Sequence, residues 1–186
     1  GPRAAGRRPP PSTARGARAG AAGLTARWYD LSVDLSIPAP VDETFDLYRQ
    51  LDKHPMWSPW LEKVDYDAST GQSRWTIRQR GITVSWEAEN TEEVPPRTIA
   101  WRSTSGLPNR GRVDFSSAEG EPGRCNLRLT LSYAIPSALG KVLQTFTNVD
   151  GFVKETMLGD LRRFRTRIVA QVRERRMREA SGGGGA

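Results

Sequence analysis

Residues 125–135 read CNLRLTLSYAI. Every second position is apolar or aromatic (Cys125, Leu127, Leu129, Leu131, Tyr133, Ile135), while Asn126, Arg128, Thr130 and Ser132 between them are polar. An alternation of period two marks a strand with one face buried and one face in water. Strands of this kind build an antiparallel sheet whose apolar face has to be covered by another element.

The same pattern recurs upstream. LSVDLSI (31–37) puts Leu31, Val33, Leu35 and Ile37 on one face. SRWTIRQ (73–79) presents Trp75 and Ile77, and ITVSWEAE (82–89) presents Ile82, Val84, Trp86 and Ala88, so the two read as a hairpin about Arg80-Gly81. LEKVDYD (61–67), PPRTIAWRS (95–103) with Ile99 and Trp101, and RVDFS (112–116) with Val113 and Phe115 complete the strand-like runs. Between the first strand and the next, Asp42 is placed to cap a short helix over 42–51 whose apolar positions are Phe45, Leu47, Tyr48 and Leu51. The prolines of DKHPMWSPW (52–60) stop that helix.

The cover for the sheet comes last. Residues 137–147 predict a short helix and 152–178 a long one, in which Val153, Met157, Leu161, Phe164, Ile168 and Val172 form one apolar stripe with arginines on the other sides. The expected fold is therefore α+β: a helix-grip arrangement, with a curved antiparallel sheet of about seven strands wrapped around the long C-terminal helix. One helix of roughly 40 Å cannot fill the whole concavity of such a sheet. The remaining space is a candidate ligand cavity. Its expected lining is Trp75, Trp86, Trp101, Phe115 and Tyr133 from the strands, Met157 and Phe164 from the helix, Trp57 and Trp60 from the 52–60 stretch, and Leu107 and Pro108 at the rim. The alternative is that these aromatics are simply the packed core.

Charge is unevenly spread. The net +7 comes from the ends: residues 1–27 hold six arginines and no acid, and residues 160–179 hold eight arginines against Asp160, Glu174 and Glu179. The stretch between them is net acidic, and the one aromatic among the helix arginines, Phe164, belongs to the apolar stripe, so no nucleic-acid partner is expected. Those arginines are either a solvated face or a peripheral contact for anionic headgroups. The acid-poor start, rich in Arg, Ala, Gly and Pro, reads as an organelle transit peptide or a disordered basic tail. The Gly-rich residues 179–186 read as a flexible tail, which leaves a folded unit over 28–178.

Little in the chain points to catalysis. His54 is the only histidine, no serine sits in G-x-S-x-G, and one cysteine, Cys125, permits neither an intramolecular disulfide nor a thiolate metal site. His54 stands before a proline at a helix end, where it can satisfy helix carbonyls or face water. GLPNRG (106–111) has the glycine spacing of a phosphate loop but lacks the following Lys-Ser/Thr and lies between two strands, so a turn is expected. No cofactor and no metal are expected.

Four segments, SIPAPVDETFDLYRQLDKHPMWSPWLEKVDY (36–66), GLPNRGRVDF (106–115), YAIPSALGK (133–141) and DLRRFR (160–165), together resemble the polyketide cyclase/dehydrase and lipid-transport proteins. That group includes START-like and coenzyme Q-binding-type domains, and the likeness is nearest to its cyanobacterial and plastid branch. The resemblance covers roughly Leu31 to Val172. It implies a helix-grip fold enclosing a hydrophobic ligand (a lipid, isoprenoid quinone, polyketide or pigment-like molecule) without implying one chemistry. A plastid relative would place the protein in the chloroplast, with the mitochondrion as the alternative. Three functions follow as expectations: a carrier or sensor of a hydrophobic small molecule; a cyclase or dehydratase acting by confinement, with Tyr133 or an intruding carboxylate as acid/base; and an assembly factor docking through the basic final helix.

Overall fold

The computed structural model describes residues 27–79, 81–135 and 149–182. The chain forms β1 (Arg27–Ile37), α1 (Val41–Tyr48), a short 3-10 helix (Leu51–Met56), β2 (Leu61–Asp67), β3 (Gln72–Gln79), β4 (Ile82–Val94), β5 (Thr98–Gly106), β6 (Asn109–Ala118), β7 (Glu121–Ile135) and α2 (Val149–Gly182). All seven strands lie in one antiparallel sheet in the order β1-β7-β6-β5-β4-β3-β2. The stretch that carried the clearest alternation is its longest strand, with Val33 opposite Leu129 on β1 and Val113 opposite Leu129 on β6. With α2 gripped in the concavity this is the α+β helix-grip fold.

Several boundaries differ from the sequence reading. Helix α1 begins at Val41 behind Pro40, so Asp42 sits inside the first turn beside Glu43 and supports the helix by its charge instead of capping it. It ends at Tyr48, and the 3-10 helix takes over at Leu51. Helix α2 starts three residues early and runs through Gly182, the first part of the expected flexible tail. Strong helix formers and the i,i+4 pairs Arg175–Glu179 and Glu174–Arg178 carry it there. Of the leader expected over residues 1–27, Arg27 opens β1; residues 1–26, the expected helix over 137–147 and the tail residues 183–186 lie outside the described residues. Among the described residues, no helix is long and apolar enough to cross a membrane.

The predicted stripe faces inward: Met157, Leu161, Phe164, Ile168 and Val172 are buried and Val153 packs beside them. They meet Ile37, Phe45, Val113, Phe115, Cys125 and Leu127. Helix α2 rests against β1 and α1. It therefore leans toward one side of the sheet, and the concavity stays open over β3, β4 and β5.

Candidate functional site

In that open part lies a cavity of about 410 Å³. Its far wall is set by strand register. Trp75 on β3 is directly opposite Trp86 on β4, and their indoles lie parallel, 5.9 Å apart and 7° from coplanar. Trp75 is held in place by a relay: its Nε1–H donates to Ser73 Oγ (2.8 Å), which donates to the Ala88 carbonyl (3.2 Å).

The GLPNRG segment seats the third tryptophan. It is a tight connection, with only Leu107 and Pro108 between β5 and β6. Trp101 Nε1–H donates to Asn109 Oδ1 (3.1 Å), and the Asn109 amide donates to the Leu107 carbonyl (2.9 Å). The Trp101 ring covers Gly111, its partner across β5 and β6, and a Cβ there would run into the ring and come within 2.8 Å of the Thr130 carbonyl. Gly106 adopts φ +78° with its backbone against Trp86, where a Cβ would lie 2.8 Å from Trp86 Cα. The two glycines thus serve the tryptophans.

Tyr133 of β7 and Phe152, Val153 and Met157 of α2 line the opposite wall. Tyr133 stacks on Tyr29 (5.3 Å), and its hydroxyl donates to Asp150 Oδ1 (3.1 Å). Burial first, and then the Asp150 hydrogen bond and charge, push its phenol well above the ordinary range.

At the α1 end the wall is made by Tyr48 and His54. His54 Nε2–H donates to the Tyr48 carbonyl (2.8 Å), the last of α1, so the ring meets one of the two expectations for it, while it also packs edge-on to Trp75 (5.4 Å). Burial pushes its pKa down to about 4, against the opposing pull of that carbonyl and of Asp52. The imidazole is therefore neutral at pH 7, with its proton on Nε2 and a bare lone pair on Nδ1. The Tyr48 ring meets Phe115, Phe164 and His54 edge to face. Burial, and secondarily the charge of Asp160, keep its hydroxyl protonated far above the usual pH. Asp160 itself, outside the lining, accepts from Ser58 Oγ (2.6 Å) and from Arg163 (2.9 Å); burial raises its pKa to about 6 despite both. Among the described residues, no Asp, Glu, Lys or Arg lines the cavity, and no cluster of His, Cys, Asp or Glu could hold a metal.

The expected lining divides. Trp75, Trp86, Trp101, Leu107, Tyr133 and Met157 line the cavity. Trp57, Phe115 and Phe164 do not: they are buried in the solid core, Trp57 against Phe164 at 5.1 Å. Trp60 is half-buried and packs edge-on to Phe152 (5.1 Å), behind the wall. Pro108 contributes its carbonyl to the Ala134 N–H (2.9 Å) and does not reach the cavity. Ile77, Val84, Leu129 and Leu131, which were on the correct strand phase, join the lining, as do Tyr48, an apolar position of the expected short helix, and His54 and Asn109, which no periodicity marks.

A family model described as polyketide cyclase/dehydrase and lipid transport matches residues 37–177. An uncharacterized 17.2 kDa protein from the melC2-rnhH intergenic region of Streptomyces lincolnensis is 26% identical over 153 residues, covering 82% of this chain and 94% of that protein. Among solved structures, DR_A0006 from Deinococcus radiodurans is 27% identical with a TM-score of 0.56, over 74% of this chain and 95% of its own. The Zhui aromatase/cyclase from Streptomyces sp. R1128 shares the fold at 19% identity with a TM-score of 0.61, over 86% of this chain and all of its own.

Proposed function

The chain belongs to the polyketide cyclase/dehydrase and lipid transport family, and from that premise we propose that it binds a hydrophobic small molecule in the cavity and carries or senses it. One observation supports this above the rest: a space of about 410 Å³, within the range of small-molecule sites, whose described walls are mostly aromatic and aliphatic with no Asp, Glu, Lys or Arg. Apolar walls of this size reward a ligand chiefly by taking its surface out of water. Mass spectrometry of the natively purified protein, intact and after extraction, tests the reading. A stoichiometric apolar molecule is the expected result; a protein that emerges empty and takes up no apolar probe refutes it.

A second reading, a cyclase or dehydratase acting by confinement, is favoured by a specific observation as well. Three ionisable side chains, Tyr48, His54 and Tyr133, line the cavity and all have displaced pKa values. The two readings part on whether the bound molecule leaves changed. Incubation with an aromatic β-hydroxy ketone, followed by mass spectrometry for loss of water, separates them.

The outer side of α2 bears on how a carrier would be loaded. Arg162, Arg165, Arg167, Arg173 and Arg176 are exposed and form no ion pair among the described residues. They fit an anionic membrane surface as the place of exchange.

A further inference from the structure

We propose that the α1 end of the cavity is a hydrogen-bonding pole, made by the Tyr48 hydroxyl beside His54, which selects uncharged ligands bearing an alcohol or carbonyl oxygen over both hydrocarbons and carboxylates. This rests on the ligand-binding reading above and sharpens it.

Tyr48 is 8% exposed, and its hydroxyl makes no hydrogen bond among the described residues. Yet no side-chain nitrogen or oxygen sealed away from solvent-sized space is left unpaired there. The Tyr48 hydroxyl therefore borders open space, and the cavity is the space that Tyr48 helps to wall. A donor in so apolar a space is costly to leave unmet, and a ligand oxygen that accepts from it recovers that loss. Most other polar side chains of the lining are engaged: Trp75, Ser73, Trp101, Asn109 and Tyr133 donate to partners of their own, and Asn90 donates to Glu93 (3.3 Å). Besides the Trp86 indole N–H, the α1 end is where a ligand's polar atom is rewarded.

His54 adds the complementary capacity. With Nε2–H committed to the Tyr48 carbonyl, its Nδ1 carries only a lone pair, so the pole offers one donor and one acceptor. An alcohol can use both and a ketone can use the donor. A carboxylate meets no cation in the described lining, and Asp160 lies close enough for its charge to act on Tyr48. Burying an anion at this end therefore carries its full desolvation cost with no compensating charge.

Three probes sharing one ring system test the pole: anthracenemethanol, methylanthracene and anthracenecarboxylate, titrated at pH 8 and read by energy transfer from the cavity tryptophans. The alcohol should bind most tightly and the carboxylate least. Tyr48→Phe keeps the ring that packs on Phe115 and Phe164 and removes only the hydroxyl. It should weaken the alcohol about tenfold, as loss of one hydrogen bond in an apolar site predicts, and leave methylanthracene unchanged. Unchanged hydrocarbon binding also certifies that the variant is folded. Equal affinity of alcohol and hydrocarbon in the native protein, an equal effect of Tyr48→Phe on both, or tightest binding of the carboxylate would overturn the pole while leaving the cavity reading intact. Failure of all three probes to bind would remove the cavity reading and the pole with it.

Discussion

Around Phe45 and Phe164, rings meet edge to face at 5.4 Å (Phe45–Phe115) and 5.3 Å (Tyr48–Phe164), and the two phenylalanines themselves are fully enclosed. Around Trp75 and Trp86 the rings stack in parallel and remain half-buried, facing a cavity. Both regions belong to the same concave face and draw on the same residue types. They differ in what α2 brings to them. At the solid end it presents Leu161, Phe164, Ile168 and Val172 to β1, β7 and α1; toward the tryptophans it presents Val153 and Met157, and its axis leans away toward β1. The hollow is thus set by helix placement, with large strand side chains laid flat along its wall.

This contrast is most easily broken by truncation. Phe164→Ala should cost about 3–5 kcal/mol in urea unfolding, because the enclosed site cannot collapse. Trp86→Ala, at a ring that already faces space, should cost less than half of that and should abolish binding of an apolar probe. Equal costs for the two would erase the distinction between the ends.

Acid sharpens the boundary between the ends. The unfolded chain takes up a proton on His54 near pH 6.5 and the folded chain only near 4, so His54 stabilises the fold fully above pH 6.5 and loses that contribution, about 3 kcal/mol, as the pH falls toward 4. Asp160 acts oppositely. Its pKa rises from 3.8 to about 6 on folding, so its contribution is present below 3.8 and disappears as the pH rises through 6. The two slopes offset each other between pH 4 and 6. Unfolding of Asp160→Asn followed against pH should therefore show a steeper loss on acidification than the native chain; parallel profiles would contradict this account of the two groups.

Gly111→Ala probes the hollow end alone. The added methyl meets the Trp101 ring and the Thr130 carbonyl, so the ring must swing into the cavity or the strands must part. A stability loss of about 1–3 kcal/mol, with weaker probe binding, is expected from denaturation and titration of the same variant. The smallest effect on the fold concerns the exposed arginines. Replacing Arg165, Arg167, Arg173 and Arg176 by Gln should change stability by no more than about 0.5 kcal/mol per site and leave probe affinity intact, while sedimentation with anionic vesicles falls.

Strand alternation and the helix stripe made the grip legible, because period and phase say which face each residue takes. They do not say how deep along the face it lies. Phe115 and Trp101 both face the concavity, but Phe115 sits where α1 and α2 converge and Trp101 where they do not. Trp57 was drawn away from the cavity by a 3-10 turn that sets it on Phe164, a local conformation with no hydrophobic period to reveal it. The GLPNRG segment was legible as a turn, whereas its service to Trp101 depends on cross-strand pairing of Gly111, which one strand's sequence does not contain. Tyr48 read as one more apolar position of a short helix. Its open hydroxyl is a property of the assembled cavity.

A carrier or sensor of this build has to take its ligand at the hollow end. Titration of methylanthracene, read by energy transfer from the cavity tryptophans, should saturate at one molecule per chain, and Ala88→Phe, which places a ring in the cavity from a buried wall position, should abolish the signal while circular dichroism stays native. Non-saturable transfer, or saturable transfer undiminished in Ala88→Phe, would show that the probe binds elsewhere and that the cavity is not the site.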